Sequence, residues 1–241
     1  MLTLKNISYD VNDESGAKEI LSDVSLDFPD GQFVVITGPN GGGKSSLAKV
    51  IAGIYTPTGG SIIYNGEDIT DKDITARAKM GISFAFQQPV RFKGLEVFDL
   101  LRMASGDPKI SIAEACEYLS EVGLCAKDYI NREVDASLSG GELKRIEIAG
   151  VLARKSNLTI FDEPEAGIDL WSFANLIRVF EHIKEETKGS IIIISHQERI
   201  LNIADVIVVI ERGKLTHIGP REEILPLLMG TESAVESCYK I

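Results

Sequence analysis

The sequence contains one stretch that decides the fold, Gly38-Pro39-Asn40-Gly41-Gly42-Gly43-Lys44-Ser45-Ser46. An apolar run at 33–36 precedes it, and a helix-forming segment at 47–52 follows it. In this order of strand, glycine-rich turn and helix, backbone N–H groups can curl around phosphates, and the helix N-terminus adds its dipole. The pattern GxxxxGK[ST] therefore predicts a nucleoside triphosphate site, where Lys44 reaches the β- and γ-phosphates and the Ser45 hydroxyl binds Mg²⁺.

The composition indicates a globular protein. The chain has 241 residues, of which 44% are hydrophobic, enough for a sizeable buried core.

The net charge of the chain, −11, argues against non-specific nucleic-acid binding, because that binding depends on phosphate neutralisation by Lys and Arg. Lys144-Arg145 and Arg154-Lys155 could form basic patches, although solvated helix faces explain them more simply. We therefore expect no nucleic-acid partner.

Targeting and membrane signals are not found in the sequence. No apolar run approaches the roughly 18 residues that a membrane-spanning helix needs, and the first residues do not resemble a signal peptide. We therefore expect a cytoplasmic protein that reaches a membrane only through a partner. The three cysteines and three histidines lie too far apart in sequence to predict a disulfide framework or a metal cluster.

Apolar patterning predicts an α/β chain with one insertion. Strands and helices alternate before residue 87 and after about residue 138, as expected for a parallel sheet covered by helices. Between these positions apolar residues recur at helical spacing, and no convincing buried strand is evident. The sequence thus predicts a single domain over 1–241, with an α/β core at 1–86 and 139–241 and a helical subdomain at about 87–138.

Asp162-Glu163 closes a second apolar run, residues 158–161. In a P-loop chain, an acidic residue at the end of a buried strand is where Mg²⁺ is held, and the neighbouring Glu163 could orient or deprotonate the attacking water. An acidic turn that only ends the strand is the alternative. The pair of acids favours the Mg²⁺ site.

The stretch Leu138-Ser139-Gly140-Gly141-Glu142 precedes a helical segment at 143–152. Unpaired N–H groups, a hydroxyl and the absence of Cβ atoms would suit an anion. A serine that merely caps the helix is at least as good an explanation of this stretch taken alone.

The order of these motifs resembles the nucleotide-binding ATPases of the ABC superfamily. GxxxxGK[ST] is followed by Gln87, Leu-Ser-Gly-Gly-Glu, Asp162-Glu163-Pro164 and His196, and the resemblance covers nearly the whole chain. It implies a P-loop NTPase of the ABC type, with a mixed or parallel sheet core, N-terminal antiparallel strands and an inserted helical subdomain. It also implies ATP hydrolysis, with ATP and Mg²⁺ as cofactors.

The resemblance implies a role for residues at matching positions. Tyr9 is similar to the aromatic residue that stacks on adenine, although a tyrosine packing on the sheet is equally consistent. Gln87, rather than Gln88, would touch Mg²⁺ and the attacking water, because Pro89 follows at the family's spacing. His196 would contact the γ-phosphate.

The family pattern also implies that the site is shared between two copies. Asp162 would hold Mg²⁺ through water, and Glu163 would be the catalytic base. Ser139-Gly140-Gly141 of one copy would face the P-loop of the other, and Asp169 matches the D-loop aspartate that links the two sites. ATP would then drive head-to-tail pairing, and hydrolysis would release it.

Four segments resemble the ATPase of the SUF iron–sulfur cluster assembly system: Ala85-Phe86-Gln87-Gln88-Pro89-Val90, Gly140-Gly141-Glu142-Leu143-Lys144-Arg145, Gly167-Ile168-Asp169 and His196-Gln197-Glu198-Arg199-Ile200-Leu201. Leu138 and Pro164 instead match transporter ATPases, and Glu165-Ala166 departs from the usual pattern. We therefore expect a soluble cluster-scaffold partner. The alternative is a membrane permease that docks a cytoplasmic helix on residues 87–103, with four candidate apolar contacts: Phe92, Leu95, Val97 and Phe98.

Overall fold

In the computed structural model, the backbone is described for residues 1–13, 16–186 and 189–238, and side chains for 1–11, 16–169, 173–185 and 189–230. The strands are β1 Leu2–Asp13, β2 Gly16–Phe28, β3 Phe33–Thr37, β4 Gly59–Tyr64, β5 Glu67–Asp68, β6 Ile82–Ala85, β7 Phe92–Glu96, β8 Glu133–Val134, β9 Leu158–Asp162, β10 Ser190–Ile194, β11 Val206–Glu211 and β12 Lys214–Pro220. The helices are α1 Lys44–Ala52, α2 Ile74–Lys79, α3 Val97–Ser105, α4 Ile112–Glu121, α5 Ala126–Tyr129, α6 Gly140–Arg154, α7 Leu170–Glu186, α8 Glu198–Leu201 and α9 Arg221–Cys238.

The chain divides into two compact units. Unit 1 comprises Met1–Ile74 and Ile192–Ile241, and unit 2 comprises Thr75–Ile191. These limits differ from the predicted division into a core at 1–86 and 139–241 and a subdomain at 87–138. That division stays a prediction.

Unit 1 contains strands of two β-sheets. One is an antiparallel sheet with the strand order β2-β1-β4-β5. In the other, β3 lies between β10 and β11; β11 runs parallel to β3 and antiparallel to β12. Every residue of β3 is buried, as expected for a strand covered on both faces. The glycine-rich turn follows this strand directly.

Unit 2 combines a parallel strand pair with helices. β6 pairs with β9 in parallel, and all five residues of β9 are buried. Helices α3 and α4 pack against α6. The predicted helical segment also contains an antiparallel pair, β7 and β8. The sequence did not predict this pair because β7 is largely exposed and carries no alternating apolar pattern.

Among the helices of the described residues, none combines the length and the hydropathy that a membrane span requires.

Candidate functional site

Unit 1 carries the glycine-rich loop between β3 and α1. Helix α1 begins at Lys44, and its N-cap, Gly43, provides no side-chain hydrogen bond to the first turn. The buried Lys44 ammonium donates to the carbonyl oxygens of Gly38, at 2.7 Å, and Pro39, at 2.9 Å. A lysine charge and the positive end of the helix dipole therefore meet at one loop, as an anion site requires. Ser45 and Ser46 lie half-buried in the first turn of α1.

The loop packs backbone to backbone against the turn between β11 and β12. The Gly213 N–H donates to the Gly42 carbonyl at 2.9 Å, and the Ser22 N–H donates to the Gly213 carbonyl at 2.9 Å. A Cβ atom at Gly38 would lie 2.2 Å from the Ile210 carbonyl oxygen, so the loop can approach β11 only because Gly38 lacks a side chain. This support is not predictable from the sequence, because nothing in the motif points to a strand about 170 residues later.

The Gly213→Ala variant should be less stable than the Gly66→Ala variant. Both glycines follow a residue with positive φ in a hairpin turn, and their own φ angles are +77° and +83°. A Cβ atom at Gly66 would meet nothing within 4 Å, whereas one at Gly213 would lie 2.5 Å from the Ile20 carbonyl oxygen. Urea unfolding should show a loss of about 1 kcal/mol for Gly66→Ala and about 2–4 kcal/mol for Gly213→Ala. Equal losses would contradict the close packing.

Tyr9 and His196 also lie in unit 1. The half-buried Tyr9 ring stacks on Tyr55, with ring centroids 5.0 Å apart and an interplanar angle of 8°. Burial, and secondarily the Tyr55 hydroxyl, raises the pKa of Tyr9. His196 follows β10 and is exposed. The preceding residue, Ser195, donates its N–H to the Ile36 carbonyl at 3.1 Å. The role of Tyr55 is not predictable from the sequence, because stacking between residues 9 and 55 leaves no local signal.

Unit 2 carries the acidic residues. Asp162 ends β9 and is buried, with 2% of its surface exposed. Glu163 follows with a φ of 44°, a left-handed conformation that is strained for a residue with a side chain. The Gln87 Nε2 donates to the Glu163 Oε2 at 2.5 Å. Two residues 76 positions apart in the chain are thus brought together, and both had been predicted from the sequence as site residues.

The Ser-Gly-Gly stretch forms the start of α6. Ser139 is the N-cap: its hydroxyl accepts from the Glu142 N–H at 3.3 Å, and Glu142 accepts from the Ser139 N–H at 2.7 Å. Hydrogen bonds from the Tyr129 hydroxyl and from Ser139 lower the pKa of Glu142 to about 2. Ser139 and Gly140 are exposed, and Gly141 is half-buried. The helix cap is therefore present, and an anion site at the same place stays a prediction.

Asp169 lies just before α7 and is exposed. Its carbonyl accepts from the Phe173 N–H at 2.9 Å, which begins the helix. Its role between two copies stays a prediction.

Of the four candidate apolar contacts of segment 87–103, Phe92 is exposed, Leu95 and Phe98 are half-buried, and Val97 is fully buried in unit 2.

Residues 21–166 match the family model described as ABC transporter. The chain is 42% identical to an uncharacterized ABC transporter ATP-binding protein of Methanocaldococcus jannaschii over 217 residues, covering 87% of this chain and 86% of that protein. It is 35% identical to the energy-coupling factor transporter ATP-binding protein EcfA2 of Thermotoga maritima, covering 86% and 78%. It is 32% identical to a sulfate/thiosulfate import ATP-binding protein of Bacillus cereus, covering 89% of this chain but only 61% of that protein.

A solved structure of an ABC transporter cassette also resembles this chain. The ADP conformation of an ATP-binding cassette from an ABC transporter matches with a TM-score of 0.80 and 27% identity, covering 95% of this chain and 94% of that chain. Three features on a mixed α/β fold define an ATP-hydrolysing cassette: the P-loop at 38–46, the buried strand that ends at Asp162 before Glu163, and the Ser139-capped helix that begins in the stretch 138–142, which we call the signature. The chain belongs to the ABC superfamily of ATPases. The names of these three relatives refer to transport and do not mention iron–sulfur cluster assembly, so they support the superfamily and not the resemblance to the SUF ATPase.

Proposed function

We propose that this chain hydrolyses ATP with Glu163 as the base that takes a proton from the attacking water. The hydrogen bond from Gln87 to Glu163, at 2.5 Å, is the observation that supports this role most directly, because it orients the carboxylate. Lys44 and the N–H groups of the glycine-rich loop would bind the phosphates. His196 would contact the γ-phosphate, and Tyr9 would stack on the adenine while Tyr55 supports its ring.

We propose that the chain binds Mg²⁺ together with ATP. Ser45, Gln87 and Asp162 offer hydroxyl, amide and carboxylate oxygens, the hard ligands that this ion prefers. Bound there, the ion would neutralise charge on the phosphates. The chain's own contribution is to hold these oxygens on ordered elements: the first turn of α1, the segment after β6 and the end of β9.

We further propose that two copies pair head to tail when ATP is bound. Ser139 and Gly140 are exposed at the N-terminus of the 15-residue helix α6, so a second copy's nucleotide can reach them. Asp169 is exposed as well and would link the two sites. A signature that is exposed in one copy supports a site that is completed only by another copy.

Unit 2 has an apolar groove that suits a partner protein. Its volume is about 320 Å³, and its lining includes Phe84, Phe86, Val90, Phe92, Leu100 and Ala104. Phe86, Val90 and Phe92 are 38%, 50% and 40% exposed, although all three are large and apolar. Neighbouring exposed apolar side chains of this kind mark interaction sites. Phe86 directly precedes Gln87 in the chain, and Val90 and Phe92 follow it closely. Movement of a partner bound at the groove could therefore be coupled to ATP hydrolysis.

We propose a membrane permease as this partner. The names of the Bacillus cereus and Thermotoga maritima relatives, a sulfate/thiosulfate import protein and an energy-coupling factor transporter protein, support this choice. The chain would then act on the cytoplasmic side of the membrane.

A soluble iron–sulfur scaffold is the second candidate partner. The four segments that resemble the SUF ATPase favour it, and one of them, Ala85-Phe86-Gln87-Gln88-Pro89-Val90, includes two residues that line the groove.

Affinity capture from native cells with the wild type and the Phe92→Asp variant tests the groove. We expect Phe92→Asp to lose most of the bound partner while retaining ATPase activity, because a carboxylate in the groove opposes apolar contact. Ile112→Asp is the control, since Ile112 is 58% exposed at the start of α4 and does not line the groove.

The class of the captured protein then decides between the two candidates. A polytopic membrane protein supports transport, and a soluble cysteine-bearing scaffold supports cluster assembly. If Phe92→Asp captured as much of the partner as Ile112→Asp and the wild type do, docking at the groove would be contradicted.

A further inference from the structure

Two side chains of α6 hold both backbone polar groups of Phe86. The Lys144 ammonium donates to the Phe86 carbonyl and forms an ion pair with Glu147, N to O at 2.8 Å. The Glu147 carboxylate accepts from the Phe86 N–H at 3.0 Å. The residue just before Gln87 is therefore attached to α6 at its donor and at its acceptor.

The ion pair between Lys144 and Glu147 lies in largely apolar surroundings. The Lys144 side chain is only 1% exposed and that of Glu147 17%, and their helical neighbours Leu143 and Ile146 are buried and apolar. Removing a lysine ammonium from water is costly, and well-packed apolar side chains often stabilise such a position as well or better. Stability alone is therefore a weak reason for a charged pair here. Its geometry, which fixes one peptide unit from both sides, suggests a positional role.

The pair connects three parts of the proposed site within unit 2. Ser139, at the start of α6, lies five residues before Lys144 on the same helix. Phe86 is covalently bonded to Gln87, and the Gln87 amide donates to Glu163. A continuous set of contacts thus runs from the signature, through α6 and the backbone of Phe86, to the proposed base.

We propose that Lys144 and Glu147 are positioning residues that hold the Gln87 loop so that its amide orients Glu163. Through α6 they also link the signature, which would contact the nucleotide of a second copy, to the base of this copy. The roles of Gln87, Glu163 and the signature rest on the proposed function. The attachment of Phe86 to α6 rests on the contacts alone, and the two can be tested separately.

Helix α6 supplies its own control. Arg154, near the end of the helix, also donates to a backbone carbonyl outside it, that of Ala78 at 3.0 Å. Ala78 lies in α2, before β6 and nine residues before Gln87 in the chain. Lys144→Met and Arg154→Met each remove a basic group of α6 that donates to a distant carbonyl, but only the first releases the Gln87 loop.

The experiment measures three quantities for these variants: kcat, the Kd for Mg-ATP, and amide hydrogen exchange in the peptide 82–92. For Lys144→Met we expect kcat to fall about tenfold to a hundredfold, because small misplacements of catalytic groups have effects of this size. The Kd should stay within about twofold of the wild type, and exchange at Phe86 and Gln87 should become faster. Arg154→Met should match the wild type in kcat and in exchange at Phe86 and Gln87.

Glu147→Gln is the second variant, to be used if Lys144→Met does not fold. It keeps an acceptor for the Phe86 N–H and removes the partner of the ammonium, so the same changes should appear at smaller size. Lys144→Met that equals Arg154→Met in both kcat and exchange would overturn the proposal, and so would a Kd weakened as much as kcat. Faster exchange together with an inactive wild type would instead overturn the proposed function and leave the attachment of Phe86 supported.

Discussion

Replacing Glu163 by Gln should lower ATP turnover by about 10²- to 10⁴-fold while leaving ATP binding intact. A glutamine side chain cannot take the proton from water, but its Oε1 can still accept the hydrogen bond from Gln87, which is 2.5 Å long in the wild type. The loop around Gln87 should therefore keep its position. Single-turnover kinetics and equilibrium binding of Mg-ATP would separate the two effects.

The same variant should accumulate as a dimer in the presence of Mg-ATP. If the signature of one copy completes the nucleotide site of the other, hydrolysis is the step that separates the two copies. Blocking hydrolysis should therefore keep the two copies together. Size-exclusion chromatography with light scattering is the measurement, and Glu117→Gln, at an exposed position of α4, is the control. A monomeric profile of Glu163→Gln at saturating ATP would contradict the shared site.

Lys44→Ala should weaken nucleotide binding and remove hydrolysis. The Lys44 ammonium is buried at the loop, held by the carbonyls of Gly38 and Pro39, and alanine removes the positive charge that the phosphates would meet. We expect the Kd for Mg-ATP to rise by about tenfold or more, since charge-assisted hydrogen bonds contribute on the order of 1.5–3 kcal/mol each. Fluorescent-nucleotide titration and an ATPase assay would measure both effects.

Lys5→Ala is the matched control, because Lys5 is an exposed lysine of the same unit. It should leave binding and hydrolysis unchanged. Wild-type ATPase activity in Lys44→Ala would refute the assignment of the loop. A thermal melt should accompany the assay, because removing a buried side chain that makes two hydrogen bonds also lowers stability.

Local patterns predicted the strand, the turn and the helix around the glycine-rich loop, because each of these patterns acts over a short distance. The loop at 38–46 needs only its own glycines and the strand and helix beside it, and the structure has β3 and α1 there. Ser139 and Glu142 form a capping box over three residues, which local spacing can reveal. Ribbon β7–β8 was missed because a short exposed strand leaves no apolar period.

Contacts between distant segments were not predictable in this way. Gly213 supports the loop at Gly42 from a separation of about 170 residues, and Tyr55 stacks on Tyr9 across 46. The sequence explains Lys144 most simply as part of a solvated helix face, which is wrong, because Lys144 is buried and donates to the Phe86 carbonyl. A basic side chain at a helical position is usually exposed, and only the packing of α6 shows the exception.

The sequence by itself determined the class of protein, because phosphate binding, Mg²⁺ chemistry and helix capping each need particular residue types at fixed short spacings. The tertiary structure decided which distant residues support that chemistry. It placed Gln87 on Glu163, the Gly213 turn under the P-loop, and the Lys144–Glu147 pair on Phe86. The physical reason is that these contacts depend on how strands and helices pack, and packing joins residues that no short sequence pattern relates.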